Sequence, residues 1–487
     1  MISGRYKAVA AVAVTLWLGT MAFLYWSNGA GQSRSPDIAA STGALAPGEE
    51  YMGAYIGDER VGWIRTRTES ADGGYLIFQS GEIWFRVQGQ SKRIAMEGLA
   101  ATDLNFKLRS FKMGMDADSM KLEAKGSVSK GVIPVELTIN GENKTMEIPY
   151  SDDTVLDLTA DRYIAKKGMK AGDRHELKVI DPQSLSPVKI TVEVVGVEPI
   201  RVQGGEVPAT HVRRIVGGAV FDAWLDADGK ALKETGPLGI TFVREDPAEG
   251  LKKGVRIGRD LVESASITVN REILNPEKLK SLSLKLVGAP FQNLAIAGGR
   301  QTFTDGVVTV QIETIDSSPG IILPVKDPQF FEHLKPTVFI ESDSAEIAMA
   351  AKKASGGETD ALKAALKIND WLFANLAKKN VVGVPDALTT LRSLEGDCNE
   401  HTYLFVAMAR SIGIPARANA GIAYLGGKFY YHAWPEVWTG SWVTMDPTWG
   451  QAPADVTHIR FVQGEASKLT DILGLFGKLK LEVVSWQ

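Results

Sequence analysis

The feature that most constrains the fold is a long succession of short strand-like runs. From Tyr51 to about Val255, segments such as GYLIFQSGEIWFRV and VKITVEVVGVEPI alternate apolar and polar residues, and turn sequences such as ADGG and DADGK separate them. A period of two places every second side chain on the same face of a sheet. Long helical periodicity is missing from this stretch. The pattern therefore predicts a large antiparallel β-rich domain over 49–256.

The remainder of the chain divides into a strand-like part and a helical part. Runs such as SITVNREI and VVTVQIETI predict a small β segment or linker domain over 257–340. After Ser342 the apolar residues recur at intervals of three and four, as at Leu362, Ala365 and Leu372, which is the spacing of a helix. We expect this helix to open a separate domain over 341–487.

The N-terminus contains an uncharged apolar segment. Residues 8–26 follow Arg5 and Lys7 and carry no charge over 19 residues, which is enough helix to cross a membrane. The positive flank predicts a cytoplasmic N-terminus, with the rest of a single-pass membrane protein periplasmic or extracellular. We interpret 1–28 as a signal anchor and transmembrane helix, and 29–48, rich in Gly, Ala, Ser and Pro, as a flexible linker. A cleaved signal peptide is the alternative.

Composition and charge narrow the possible functions. Lys and Arg number 54 against 58 Asp and Glu, giving a net charge of −4, so no basic field is present to bind a nucleic acid. No run of residues has the spacing of a zinc site, and we predict neither a metal nor a cofactor. The chain has one cysteine, so an intramolecular disulfide is excluded. A lone thiol of this kind is either a nucleophile or a buried, inert side chain.

That cysteine lies at the predicted start of a helix. In EGDCNEHTYLFVAMARSIGIPAR, Gly396 and Asp397 precede a helical pattern that Gly413 and Pro415 end. Cys398 therefore falls in the first helical turn. The peptide dipoles and free N–H groups at a helix start favour the thiolate, and they can also hold an oxyanion.

A predicted hairpin downstream carries a histidine and an aspartate. In YYHAWPEVWTGSWVTMDPTWG, pairing Trp438 with Trp442 across a three-residue turn places Asp446 diagonally opposite His432 on the same face. The carboxylate would then hold one imidazole nitrogen and leave the other for a thiol.

The runs GDCNEHTYLFVAMARSIGIPAR, YHAWPEVW and WVTMDPTWG resemble the core of bacterial members of the transglutaminase-like superfamily. The resemblance covers about 342–464. It implies a papain-like catalytic domain with Cys398 as nucleophile, His432 as general base and acid, and Asp446 as the orienting group. The predicted fold class is thus α+β: an N-terminal transmembrane helix, a large antiparallel β-rich domain and a C-terminal papain-like transglutaminase core.

Three further residues are candidates for substrate contacts. His401 follows Cys398 by one helical turn, Arg417 could meet a substrate carboxylate, and Trp434 could line a groove. A core position or a structural ion pair remains open for each. Papain-type sites also use a second oxyanion donor upstream of the nucleophile, and only Asn380 offers a comparable side chain just before Cys398.

Two functions from different classes fit these observations. The first is an extracytoplasmic, membrane-anchored cysteine enzyme that acts on amide or peptide bonds through a thioester, as a peptidase, an amidase or a protein-glutamine transglutaminase. Its expected partners are a protein or peptide substrate and the membrane. The alternative is a non-catalytic envelope binding or assembly factor that uses the β-rich domain to hold envelope partners.

Overall fold

The computed structural model describes residues 48–487 with short gaps. The gaps are at 88, 118–119, 153, 169, 182–184, 203–204, 251, 253–259, 261–262, 264, 290, 292–293, 316–319, 466–467 and 469. The described residues fall into two compact units, one ending at residue 260 and the other covering 261–487.

The fold class differs from the sequence-based prediction. Strand residues are 51% of those described and helical residues 19%, so the chain is mostly β and the predicted α+β class is wrong. The reason is that the sheet of the N-terminal unit is large and that strands continue into the C-terminal unit. In that unit, strands both precede and follow the helices along the chain.

The membrane prediction also needs correction. Within the described part of the chain, no helix is long and apolar enough to cross a membrane. We therefore withdraw the prediction of a single-pass membrane protein with a periplasmic or extracellular catalytic domain, together with its membrane partner. The predicted anchor at 1–28 lies outside the described residues, and so does the predicted linker at 29–48 except for Gly48, which begins β1.

The N-terminal unit is built on a 15-stranded sheet of described residues, in the order β8-β7-β6-β5-β4-β3-β2-β1-β15-β14-β13-β12-β11-β10-β9. Its pairs are antiparallel except β9 with β10. The strands are β1 Gly48–Ile56, β2 Glu59–Ala71, β3 Gly74–Val87, β4 Gln90–Asp103, β5 Leu108–Ala117, β6 Met120–Ser127, β7 Val132–Ile139, β8 Glu142–Pro149, β9 Thr154–Leu156, β10 Arg174–Asp181, β11 Ser186–Val202, β12 Gly205–Val216, β13 Ala219–Leu225, β14 Ala231–Thr235 and β15 Ile240–Glu245. Two helices accompany them, α1 Asp157–Lys166 and α2 Pro247–Gly250.

Strand β3 shows why this sequence forms a sheet. Its side chains alternate between buried and half-buried from Tyr75 to Val87, as a strand with one face in the core requires. The turn that connects it to β2 consists of Asp72 and Gly73, and Gly73 has a φ of 67°. Glycine adopts this left-handed backbone conformation without the strain that a side chain would cause, which allows a tight turn here.

The C-terminal unit combines helices with three smaller sheets of described residues. Its helices are α3 Ala345–Ser355, α4 Ala361–Asn375, α5 Ala387–Ser393 and α6 Cys398–Ser411. Its strands are β16 Ile267–Thr268, β17 Ser281–Val287, β18 Gln301–Thr304, β19 Val307–Gln311, β20 Ala377–Lys378, β21 Glu395–Gly396, β22 Ala416–Leu425, β23 Lys428–Trp438, β24 Trp442–Thr444, β25 Ile459–Gln463 and β26 Lys480–Trp486.

One sheet of this unit carries most of the candidate site. Its order is β16-β23-β22-β25, and β24 pairs with the outer part of β23. Helix α6 packs against β23 and β22, and also against α3, α4 and α5. Nearly every side chain of α6 is consequently buried, including its first residue, Cys398.

Candidate active site

The start of α6 is fixed by a reciprocal cap. The side chain of Asp397 accepts a hydrogen bond from the N–H of Asn399 at 2.9 Å, and the Asp397 N–H donates to Glu400 Oε2 at 3.0 Å. This capping box satisfies backbone groups that a helix start leaves free. The cap places Cys398 in the first turn, as the sequence predicts.

Strand β23 brings a histidine to the same place. His432 Nε2 lies 2.9 Å from Asp446 Oδ2, and both side chains are buried. The backbone N–H of the next residue, Ala433, interacts with the Cys398 thiol and acts to lower its pKa. Among the described residues, His432 Nδ1 has no hydrogen-bond partner. Because Nε2 faces a carboxylate, it carries the proton in the neutral ring, and Nδ1 keeps a free lone pair.

The loop after β24 holds Asp446. Trp438 pairs with Trp442, so the predicted hairpin register is confirmed. The pairing of β23 with the following chain does not extend as far as His432, because the Asp446 N–H donates instead to the carbonyl of Gln451 at 2.8 Å. The chain turns there, and the carboxylate still reaches His432.

Both oxygens of the Asp446 carboxylate are occupied. Oδ1 accepts from the backbone N–H groups of Thr448 at 2.8 Å and Trp449 at 3.1 Å. Oδ2 accepts from His432 and also from His458 Nε2 at 3.1 Å. Burial would raise the pKa of Asp446, but the two imidazoles hold it well below its usual range. The carboxylate is therefore ionised and fixed in orientation.

The sequence analysis missed His458. Its Nδ1 lies 3.2 Å from Asp455 Oδ1, so both ring nitrogens contact carboxylates and both must donate. Burial would lower the pKa of His458, but Asp455 and Asp446 outweigh burial and raise it to about 9. His458 is thus an imidazolium at neutral pH. The local sequence signal was only an Asp and a His three residues apart just before a strand.

A comparison with protein families identifies a domain in the C-terminal unit. Residues 348–447 match the family model of the transglutaminase-like superfamily. The chain carries a transglutaminase-like domain. The recognition made from the three motifs is confirmed, and the matched superfamily is one of cysteine-type enzymes.

Two curated relatives match the chain in part. An uncharacterized protein of Haemophilus influenzae is 35% identical over 130 residues, which are 24% of this chain and 35% of the relative. An uncharacterized protein of Mycobacterium leprae is 28% identical over 159 residues, which are 31% of this chain and 55% of the relative. The chain thus spans between a third and just over half of the length of these two relatives.

Two solved structures are also similar to parts of the chain. One is described as "a putative cysteine protease" from Cytophaga hutchinsonii, with 16% identity over 42% of this chain and 86% of that one, and a TM-score of 0.27. The other is a β-barrel-like protein of unknown function from Brucella abortus, with 12% identity over 42% of this chain and 96% of that one, and a TM-score of 0.33. At these TM-scores neither similarity supports a conclusion about the site.

Aromatic rings enclose His432 and His458, the two histidines that bind Asp446. The Trp449 ring stacks on His432 with centroids 4.6 Å apart and an angle of 15° between the planes. The ring centroid of Trp434 lies 6.0 Å from that of His432 and 5.1 Å from that of His458. The planes of the Trp434 and His458 rings are inclined by 83°. These rings keep water away from the hydrogen bonds to Asp446, which strengthens them.

Burial decides the protonation of the candidate nucleophile and base. It raises the pKa of the Cys398 thiol well above its usual value, and the adjacent Asp397 carboxyl adds to this effect. It also lowers the pKa of His432, although Asp446 opposes the shift. The helix start was expected to favour the thiolate, but desolvation outweighs it here. The resting pair is consequently a neutral thiol and a neutral imidazole.

The three candidates for substrate contact lie in different settings. His401 Nδ1 lies 2.6 Å from the carbonyl of Asp397, and burial lowers the pKa of His401 to about 4, so the ring is neutral. Arg417 donates to Glu436 at 2.8 Å and lies over the ring of Trp442. Trp434 is fully buried. Their substrate roles stay predictions, and Arg417 is already engaged in an ion pair.

The same histidines raise the question of a metal. One ligand atom each from His432, Asp446 and His458 lies within 4.8 Å of the others. These are the atoms that form the two hydrogen bonds to Asp446 Oδ2. A metal ion would have to replace both bonds, so the observed arrangement is that of a proton-linked network.

Proposed function

We propose that the transglutaminase-like domain is a cysteine enzyme that attacks the carbonyl group of an amide or peptide bond. The observation that carries the proposal is the hydrogen bond between His432 Nε2 and Asp446 Oδ2 at 2.9 Å, which leaves Nδ1 free to act as a base. The interaction of the Ala433 N–H with the Cys398 thiol supports it, because it places the nucleophile beside the strand that carries the base.

The first half of the proposed reaction forms a thioester. His432 Nδ1 takes the thiol proton while the sulfur of Cys398 bonds to the carbonyl carbon, and the carbonyl electrons move to its oxygen. Free N–H groups in the first turn of α6 hold this oxyanion. The imidazolium then gives its proton to the leaving amine, the carbon–nitrogen bond breaks, and the acyl group remains on sulfur.

The second half depends on the acceptor. Water would release an acid, which makes the protein a peptidase or an amidase. A primary amine would form a new amide, which makes it a transglutaminase. In both cases His432 takes a proton from the acceptor and returns one to the sulfur, so the enzyme ends in its starting state.

The neutral resting states of Cys398 and His432 determine what His432 does in the reaction. Because the Cys398 thiol is not ionised in advance, proton removal must accompany attack on the carbonyl group. The rate of thioester formation should therefore require an unprotonated His432. This favours general-base catalysis over a preformed ion pair.

Mass spectrometry of peptide products tests the proposal. The full chain is incubated with a library of glutamine-containing peptides and a primary-amine donor. We expect cleavage, deamidation or amine incorporation that disappears in Cys398→Ala and falls by about a thousandfold or more in His432→Asn. His333→Gln is the matched control, because His333 packs on Trp442 outside the Asp446 network. Products unchanged in Cys398→Ala would rule the proposal out.

A further inference from the structure

We propose that His458 is a positioning residue of this site: it holds the Asp446 carboxylate through the oxygen that also binds His432, and it tunes how readily His432 exchanges its proton. The inference rests on the proposed function. His458 acts through Asp446 and touches neither the sulfur nor the substrate.

The first support is the geometry around one oxygen. Asp446 Oδ2 accepts from His432 Nε2 at 2.9 Å and from His458 Nε2 at 3.1 Å. The rings of the two histidines are 5.5 Å apart and inclined by 60°, so they approach the oxygen from different directions. With Oδ1 held by two backbone N–H groups, the carboxylate cannot rotate. The Asp446 carboxylate that binds His432 is thereby held in place by three other donors, His458 and the two backbone N–H groups.

The second support is a dedicated partner for His458. Asp455 Oδ1 faces His458 Nδ1 and also accepts from the N–H of Thr457 at 2.8 Å. Its Oδ2 accepts from Gln451 at 2.9 Å. A buried imidazole between two buried carboxylates keeps both protons, since either nitrogen without its proton would place a lone pair against a carboxylate. The four side chains thus follow one another as the Asp455 carboxylate, the His458 imidazolium, the Asp446 carboxylate and the neutral His432 imidazole.

The positive charge of His458 has a direct effect on His432. Three charged groups act on that ring within the described network: Asp446 and Asp455 favour its protonation, and His458 disfavours it. From α6, neutral His401 also interacts with this ring, and the Asp397–Glu400 pair acts on the Cys398 thiol. Lys378 on β20 acts on His401. His458 is the group in this set that helps His432 to release a proton to the leaving amine.

The test measures thiol reactivity, so it needs no substrate. Cys398 is the sole cysteine of the chain, and its alkylation by iodoacetamide can be followed in the full-length protein from pH 5 to 10. In His458→Gln the amide still donates to Asp446 but carries no charge. We expect the pH at half-maximal rate to rise by about one unit, because a lost positive charge makes neighbouring protons harder to remove.

A second variant separates position from charge. Phenylalanine at this place removes both the donor and the charge, so His458→Phe should also lower the maximal rate, by about tenfold to a hundredfold. His458→Gln should retain most of that rate. His333→Gln should change neither quantity. A purely structural role for His458 would lower the rate in both variants and leave the pH of half-maximal rate unchanged.

The outcomes distinguish this inference from the proposed function. If alkylation in the wild type is the same as in His432→Asn at every pH, the proposed function fails. If it depends on His432 but the His458→Gln profile does not shift, only the present inference is overturned. Zinc bound stoichiometrically by the wild type and lost in His458→Gln would also overturn it, since the three side chains would then be ligands.

A measurement on the unaltered protein covers the case in which a variant does not fold. Nitrogen-15 spectra of the full chain, labelled only in its 6 histidines, report the protonation of each ring nitrogen. His211 also has a carboxylate at each ring nitrogen, Glu198 and Asp222, so its signals are first identified with His211→Gln. We expect a further ring, that of His458, with both nitrogens protonated from pH 6 to 8. No such ring at pH 7 would contradict the inference.

Discussion

Asp446 is the residue on which both buried imidazoles depend. In Asp446→Asn the side-chain oxygen can keep the N–H groups of Thr448 and Trp449, while the amide nitrogen meets the two histidines. An amide N–H facing Nε2 forces the His432 proton onto Nδ1, so the ring can no longer take a proton from Cys398. We expect kcat/KM to fall by about a thousandfold to ten-thousandfold.

Steady-state kinetics on the library-selected peptide checks this prediction, with circular dichroism to confirm folding. Asp471→Asn is the matched control, because Asp471 is a half-buried carboxyl of the same unit that does not contact the histidines. A loss of less than tenfold in Asp446→Asn would show that the tautomer of His432 is not set by this carboxylate.

Individual residues also show which parts of the candidate site can be predicted from the sequence alone. The cysteine, histidine and aspartate were found because each lies in a local pattern: a capped helix start, and a hairpin whose register the Trp438–Trp442 pair confirms. His458 could not be found in this way. It reaches Asp446 only because β25 pairs with β22, a contact between segments far apart in sequence. Burial, which keeps the thiol neutral, is likewise a property of the packed domain.

At the scale of elements, the closeness of β22 and β25 positions both histidines. Gly421 on β22 lies opposite His432 on one side and Arg460 on the other, where the pairing with β25 shifts register. A Cβ atom on Gly421 would lie 1.9 Å from the carbonyl oxygen of Ile459. A glycine is required here because the obstacle is backbone, which cannot move without moving the whole strand.

The variant Gly421→Ala should therefore push β25 away and take His458 with it. We expect a loss of unfolding free energy of about 1–3 kcal/mol, the range typical of overpacking, together with reduced Cys398 alkylation at neutral pH. Gly426→Ala is the control, since its Cβ would meet nothing within 4 Å and only its positive φ is strained. Equal activity in the two variants would argue against a role for this contact.

At the scale of the whole molecule, the chain is mostly β because alternating patterns occupy both units. The N-terminal strands could be predicted one by one, since each carries its own period of two and its own turn residues. The proportion of strand to helix in the C-terminal unit could not be predicted in this way. Its strands β20 and β21 have only two residues each, too few to show a period, and they are defined by pairing with each other.

The buried histidines should give the stability of the folded chain a maximum between acid and alkaline pH. The pKa of His458 is about 9 in the folded state, against roughly 6.5 when unfolded. Its stabilising contribution is complete below pH 6.5 and is lost as the pH rises through 9. The pKa of His401 is about 4. Since the unfolded chain then binds the proton more tightly, stability is lost as the pH falls from 6.5 to 4.

Each effect amounts to on the order of 3 kcal/mol, because each shift covers between two and three pKa units. Urea unfolding of the full chain, followed by hydrogen exchange in peptides from β22 and β23, measures the free energy at each pH. His458→Gln should remove the loss between pH 6.5 and roughly 8.5, where the unfolded Cys398 thiol begins to ionise, and leave the acid loss in place. His175→Gln, at an exposed histidine of the N-terminal unit, should change neither. A loss between pH 6.5 and roughly 8.5 that persists in His458→Gln would mean that the imidazolium between Asp455 and Asp446 is not what stabilises the site.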